Sequence, residues 1–129
     1  MKNLLIIALS CLAITAVSCN KEPGEGGTST IEGKVWVIDK NNDGEITDEY
    51  YAMDEEVFIA YGEDQTYSDN FNTSYDGSYR FDHLTPGMYT VFAYSDCDTC
   101  SGEMEAVIQT VEITDKKQVV VVPDLTVIR

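Results

Sequence analysis

The stretch that decides the fold is DGSYRFDHLTPGMYTV, residues 76–91. Asp76-Gly77 closes a tight hairpin, with Gly77 supplying the positive φ, and Pro86-Gly87 reverses the chain. Between the turns, Tyr79, Phe81 and Leu84 point into a core. After them, Tyr89 and Val91 pack opposite. Alternation with a period of two marks a strand with one buried face. The segment reads as two short strands that turn back on each other.

Runs of the same kind flank it. Residues 31–38 (IEGKVWVI) and 56–61 (EVFIAY) are rich in β-branched and aromatic side chains. Residues 65–74 are weaker and polar, like an exposed edge strand. Residues 88–95 alternate, with Tyr89, Val91 and Ala93 on one face, and residues 106–113 and 118–128 complete the set. Pro123 lacks an N–H, so it breaks the last run or places it on an edge. Only residues 48–55 suit a helical turn. Seven short strands at regular spacing predict an all-β sandwich.

The first 30 residues are of a different kind. Lys2, an apolar run over residues 4–17 and then Ser18-Cys19 have the layout of a secretory leader. The run is shorter than the about 20 residues of a membrane span. Ala16-Val17-Ser18-Cys19 resembles a bacterial lipobox, in which Cys19 would be acylated and become the new N-terminus. Residues 1–18 are then the signal peptide. Residues 19–30 are the lipidated cysteine and a Gly-, Ser- and Thr-rich tether, and residues 31–129 are one domain with one core.

GKVWV (residues 33–37), the acidic loop that follows it and the DGSYRFDHL…TPGMYTV pair together resemble the SdrD B-like and Cna B-type repeats of bacterial surface proteins. They also resemble the related carboxypeptidase-regulatory-like modules. The shared pattern falls on Asp76, Gly77, Tyr79, Phe81, Leu84, Gly87, Tyr89 and Val91. The resemblance covers roughly residues 31–95. It implies a seven-stranded Greek-key β-sandwich of the transthyretin (prealbumin) type. Most of the matching residues make the fold and do not report on chemistry.

Residues 39–50, DKNNDGEITDEY, raise a metal question. Asp39, Asn41, Asp43 and Gly44 meet positions 1, 3, 5 and 6 of an EF-hand loop, and Glu45 would give its carbonyl at position 7. Position 12 is Tyr50, not the bidentate Glu, and the preceding segment is a strand, so the EF-hand is rejected. The SdrD B-like repeats resemble this segment in carrying such a loop after a VW strand. The resemblance implies a structural calcium held by Asp39, Asn41, Asp43, Glu45, Asp48 and Glu49. Without metal, Asn-Asn-Asp-Gly makes a turn unaided. A dockerin-like assembly module would need a second such loop, and the chain has none.

Cys97 and Cys100 remain after Cys11 leaves with the leader and Cys19 takes the lipid. Flanked by Asp96 and Asp98, they read as a disulfide across a hairpin loop. His83, the single His, reads as solvent-facing; an accessory subunit or small enzyme with a site near it is the alternative. A Lys34–Asp124 isopeptide is a further reading, set below a simple surface lysine. Exposed tyrosines among Tyr50, Tyr51, Tyr61, Tyr67, Tyr75 and Tyr94 could hold a sugar or a protein, against the ordinary strand preference for Tyr. The chain has 8 basic and 23 acidic side chains, net −15, and loses one more positive charge with Lys2. Such a surface repels nucleic acid and anionic lipid alike. The expectation is a non-enzymatic, lipid-anchored module of the bacterial cell envelope, periplasmic or surface-facing, with a polysaccharide or protein partner.

Overall fold

The computed structural model describes residues 22–129, which form strands and loops with no helix among them. The leader and Cys19 lie outside the described residues. Nine strands follow in order: β1 Glu25–Lys40, β2 Ile46–Tyr51, β3 Glu56–Tyr61, β4 Asp69–Asn72, β5 Ser78–Leu84, β6 Gly87–Asp96, β7 Met104–Ile113, β8 Val119–Val121 and β9 Leu125–Ile128.

They make two sheets, one of five strands built around β1 and one of four in the order β4-β3-β6-β7. On one edge of β1, β5 and β2 lie end to end. There Val35 N–H donates to the Gly77 carbonyl (2.9 Å), and the Val35 carbonyl accepts from Ala52 N–H (3.1 Å). On the other edge β8 and β9 run parallel to β1, with Val122 N–H donating to the Glu32 carbonyl (2.8 Å) and Arg129 N–H to the Ile38 carbonyl (3.0 Å). The second sheet is antiparallel throughout. Between the sheets lies one core. Ile31, Val35, Val37, Tyr79, Phe81, Leu84, Leu125 and Val127 come from the first sheet, and Val57, Ile59, Tyr89, Val91, Val111 and Ile113 from the second. Each such side chain, fully buried, contributes about 1.5–3 kcal/mol.

The expected inward set of Tyr79, Phe81 and Leu84 is buried as read. Its spacing of two and then three residues needs one extra residue in the strand. His83 supplies it, exposed and at φ 59, so that both Phe81 and Leu84 face the core.

Four details differ from the reading of the sequence. Nine strands stand where seven were expected, because Pro123 splits the last run into β8 and β9 and because residues 46–51 pair with β1 as β2 instead of forming a helical turn. The Asp76-Gly77 turn closes, with Gly77 at φ +80, but β4 and β5 on its two sides belong to different sheets and do not pair as a hairpin. β4 is an edge strand as read, though only four residues long. Finally, β1 begins at Glu25, so residues 25–30 are sheet and not tether; Ser29 and Thr30 are buried.

Candidate functional site

β6 turns its even-numbered side chains outward, away from the core. Its partners place Asn70, Phe58, Phe92 and Ile108 in one row across all four strands. On a sheet face open to water, Phe58 and Ala60 would be exposed; here they are only 8% and 7% accessible. The cover is the β3–β4 loop, residues 62–68, which folds back over them. Five hydrogen bonds fix that loop. Gly62 N–H donates to the Met88 carbonyl (2.9 Å), Asp64 N–H to the Tyr61 carbonyl (3.1 Å) and Ser68 N–H to the Ile59 carbonyl (2.7 Å). Ser68 Oγ donates to Asp64 Oδ2 (3.1 Å) and accepts from Tyr61 N–H (3.1 Å).

The loop delivers the Tyr67 ring to 4.8 Å from Phe58. Phe58 stacks on Phe92 at 5.1 Å, and the Tyr94 ring stands edge-on to both at 5.6 and 5.8 Å. The result is a groove of about 430 Å³. Ala60, Thr90, Phe92, Ala106 and Ile108 form its floor, Tyr67 and Tyr94 its walls, and Asp64, Gln65 and Thr66 its polar rim. Tyr67 and Tyr94 are 54% and 43% exposed, so a ligand would meet their ring faces and hydroxyls together. An apolar, aromatic floor with a few polar groups at the rim is the common chemistry of a small-ligand site. It suits a pyranose ring, whose C–H face packs on aromatic carbon while its hydroxyls bond at the rim. The lining contains no Lys or Arg, so it offers no countercharge to an anionic ligand.

Of the other tyrosines, Tyr75 is 84% exposed and lies outside the groove, and Tyr50, Tyr51 and Tyr61 are engaged elsewhere. Tyr61 packs edge-on to Tyr89 at 5.8 Å, and burial, with Glu25 nearby, pushes its hydroxyl up to about 12. Tyr51 packs on Trp36 at 4.8 Å and donates to Asp124 Oδ2 at 2.8 Å, a bond that raises its pKa. Lys34 Nζ lies 4.7 Å from the centre of the same Tyr51 ring. The two members of the isopeptide reading, Lys34 and Asp124, thus both engage Tyr51.

Cys97 and Cys100 form the expected disulfide, at the tip of the β6–β7 hairpin. With Glu105 they are the single group of three converging Cys, His, Asp or Glu ligand atoms among the described residues, and the disulfide occupies both sulfurs.

The acidic loop is a self-closed turn. Asn41 Oδ1 accepts from Asp43 N–H (3.0 Å) and Glu45 N–H (2.9 Å), and Gly44 N–H donates to the Asn41 carbonyl (3.0 Å). No three carboxylates among Asp39, Asp43, Glu45, Asp48 and Glu49 converge as metal ligands. Tyr50 stands at position 12, and the Asp39 carboxylate beside it raises the pKa of its hydroxyl. The donors for calcium are on one hairpin, but they are not gathered into a cage.

No family model matches the chain, and no curated protein matches it. Among solved structures, it is similar to a Pseudomonas aeruginosa protein described as a "putative carbohydrate binding protein". The two share 16% identity over 80% of this chain and 90% of that one, with a TM-score of 0.51. At that identity the likeness is one of fold.

Reading the sequence picked out Tyr67 and Tyr94 but missed Phe58, Phe92, Ile108 and the covering loop. A signal was present in MYTVFAYS, residues 88–95. Three of its four outward positions, Met88, Phe92 and Tyr94, are as apolar or aromatic as its inward ones, the fourth being Thr90.

Proposed function

We propose that this chain is a lipid-anchored, non-enzymatic carbohydrate-binding module of the bacterial cell envelope, with the ligand in the Tyr67–Phe92–Tyr94 groove. The observation that carries the reading is the built aromatic groove. A loop held by five hydrogen bonds places Tyr67 opposite Tyr94 over a floor of small and aromatic side chains. The neighbour of similar fold is described as a "putative carbohydrate binding protein", which agrees with the same reading. The acidity of the chain and of the groove rim points to an uncharged polysaccharide.

The SdrD B-like, Cna B-type resemblance and its Greek-key, transthyretin-like topology belong to the same proposal. The Tyr89 hydroxyl supports them: it donates to the Thr85 carbonyl, four residues upstream, at 2.6 Å. Greek-key sandwiches use a tyrosine in this way at a corner between sheets. The Cys19 lipid, which lies outside the described residues, rests on the leader sequence.

The test is affinity electrophoresis through gels containing soluble neutral polysaccharides, one per gel. Retardation of the wild type by at least one polymer, lost in Tyr67→Ala plus Tyr94→Ala at unchanged melting temperature, supports the reading. Equal mobility of both proteins in every gel would sink it.

A calcium staple at the acidic loop is a second proposal. It is favoured by the register, which sets Asp39 directly opposite Asp48 across the β1–β2 ladder. Like charges so placed repel, and a cation would relieve them. A melting temperature raised by calcium over EDTA, and indifferent to calcium in Asp39→Ala plus Asp43→Ala, is the expected result. An identical melt in both buffers would leave the loop an acidic turn.

A further inference from the structure

We infer that the lipid anchor is a short leash, which holds one defined end of the sandwich against the bilayer. The inference rests on the lipid-anchor reading of Cys19. It comes from where the chain is first tied down.

The Glu22 carbonyl accepts from Thr85 Oγ1 at 2.9 Å. Gly24 N–H donates to the Tyr89 hydroxyl (2.9 Å), and the Gly24 carbonyl accepts from Thr85 N–H (2.9 Å). Pro23 sits against Gly87 so closely that a Cβ there would come within 2.5 Å of the proline ring, and Gly87 holds φ +148 as well. The chain then enters β1 at Glu25. Residues that read as a tether are therefore sheet and strap. From Cys19 to Glu22 only three Cα steps remain, a reach of about 10 Å when extended.

The fold decides which end that leash holds down. β1 enters opposite Leu84 and leaves through the β1–β2 loop after Lys40, so it runs the whole length of its sheet. Gly87 pairs with Ile113, and Lys117 N–H donates to Thr28 Oγ1 at 3.0 Å. The β5–β6 turn and the loop over residues 114–118 therefore stand at the entry end, beside Pro23. The Cys97–Cys100 tip lies at the other end of β6. Arg129 ties that end to the end of β1 by donating from its Nη1 to the Tyr94 carbonyl (3.0 Å) and from its N–H to the Ile38 carbonyl (3.0 Å).

Charge does not set the orientation: the far end exposes Asp43, Glu45, Asp48, Asp98 and Glu103, and the near end exposes Glu22, Glu25, Glu63 and Asp115 beside Lys116 and Lys117. The lipid surface is then a contact partner of the loops around Pro86 and Lys116, and the β1–β2 loop and the Cys97–Cys100 tip project outward.

The test uses the full lipidated protein in vesicles of phosphatidylethanolamine and phosphatidylglycerol with a quencher on the headgroup. A fluorophore is attached in turn at Lys116→Cys and Asn42→Cys, with the native disulfide left oxidised. Quenching at position 116 is expected to exceed that at 42 several-fold, and a long Gly-Ser insertion after Lys21 should bring the two close together. Equal quenching without the insertion, in protein shown by mass spectrometry to be lipidated, would overturn the short leash alone. Protein recovered from membranes without lipid on Cys19 would overturn the anchor reading and the leash with it.

Discussion

Two buried tyrosines of similar burial should respond oppositely to the loss of a hydroxyl. Tyr89 is fully buried, and its hydroxyl donates to the Thr85 carbonyl (2.6 Å) and accepts from Gly24 N–H (2.9 Å). In Tyr89→Phe the Gly24 amide, itself buried, keeps no partner there. An orphaned buried donor costs about 1–3 kcal/mol. Tyr79 is 1% exposed, yet its hydroxyl is the single buried side-chain polar atom without a hydrogen-bond partner among the described residues. It lies across Gly33, where a Cβ would approach it to 2.6 Å, so the ring packs well while the oxygen goes unpaired. Tyr79→Phe removes a desolvated group and keeps the ring. It should be neutral or stabilising by about 1 kcal/mol. In a domain of this size each kcal/mol moves the melting temperature by about 4–8 °C. Urea and thermal unfolding of the two variants side by side are therefore decisive. A loss in Tyr79→Phe as large as that in Tyr89→Phe would mean that the Tyr79 hydroxyl has a partner, and the account of this core would be wrong.

Three further predictions concern titration and backbone strain. The Tyr61 pKa is raised to about 12, chiefly by burial, so the folded state favours the protonated hydroxyl. The stabilisation is complete below about pH 10, the ordinary tyrosine value, and is lost as pH rises through 12. Tyr61→Phe should flatten the alkaline fall of the urea midpoint, and an unchanged slope would refute this. Asp82 is lowered, first by the Thr30 hydroxyl at 2.8 Å and then by Arg80. Its contribution is present above about pH 3.9 and is lost as pH falls through the lower folded value. Thr30→Val should shift the acid unfolding limb toward higher pH, a shift that acid titration of the two proteins measures. His83→Gly should be neutral or stabilising by up to about 1 kcal/mol, because glycine takes the positive φ of the bulge at little steric cost. A large loss in chemical denaturation would show that the imidazole carries contacts of its own.

Much of the inner face was legible in the sequence. Tyr79, Phe81, Leu84, Tyr89, Val91 and Ala93 lie in the core because strand alternation admits few other arrangements. What alternation cannot show is how two strands are joined through space. The Asp76-Gly77 turn looks the same whether its strands pair or part into two sheets. β2 was missed because ITDEYY is exposed along its whole length and so carries no buried-face signal. The N-terminal strap was missed because Gly, Ser and Thr read as a tether, while the bonds that hold them come from Thr85 and Tyr89, over 60 residues away. The groove shows the same limit. Tyr67 and Tyr94 stood out as surplus aromatics, but only the backbone bonds of residues 62–68 bring Tyr67 over Phe58.

The most direct test of the central claim is amide chemical-shift mapping of the mature domain as a soluble neutral oligosaccharide is added. The groove account predicts perturbations confined to residues 64–67 and to Thr90, Phe92, Tyr94, Ala106 and Ile108, absent in Tyr67→Ala plus Tyr94→Ala. Perturbations centred instead on Trp36 and Tyr51, on the opposite sheet, or surviving the double substitution, would contradict it.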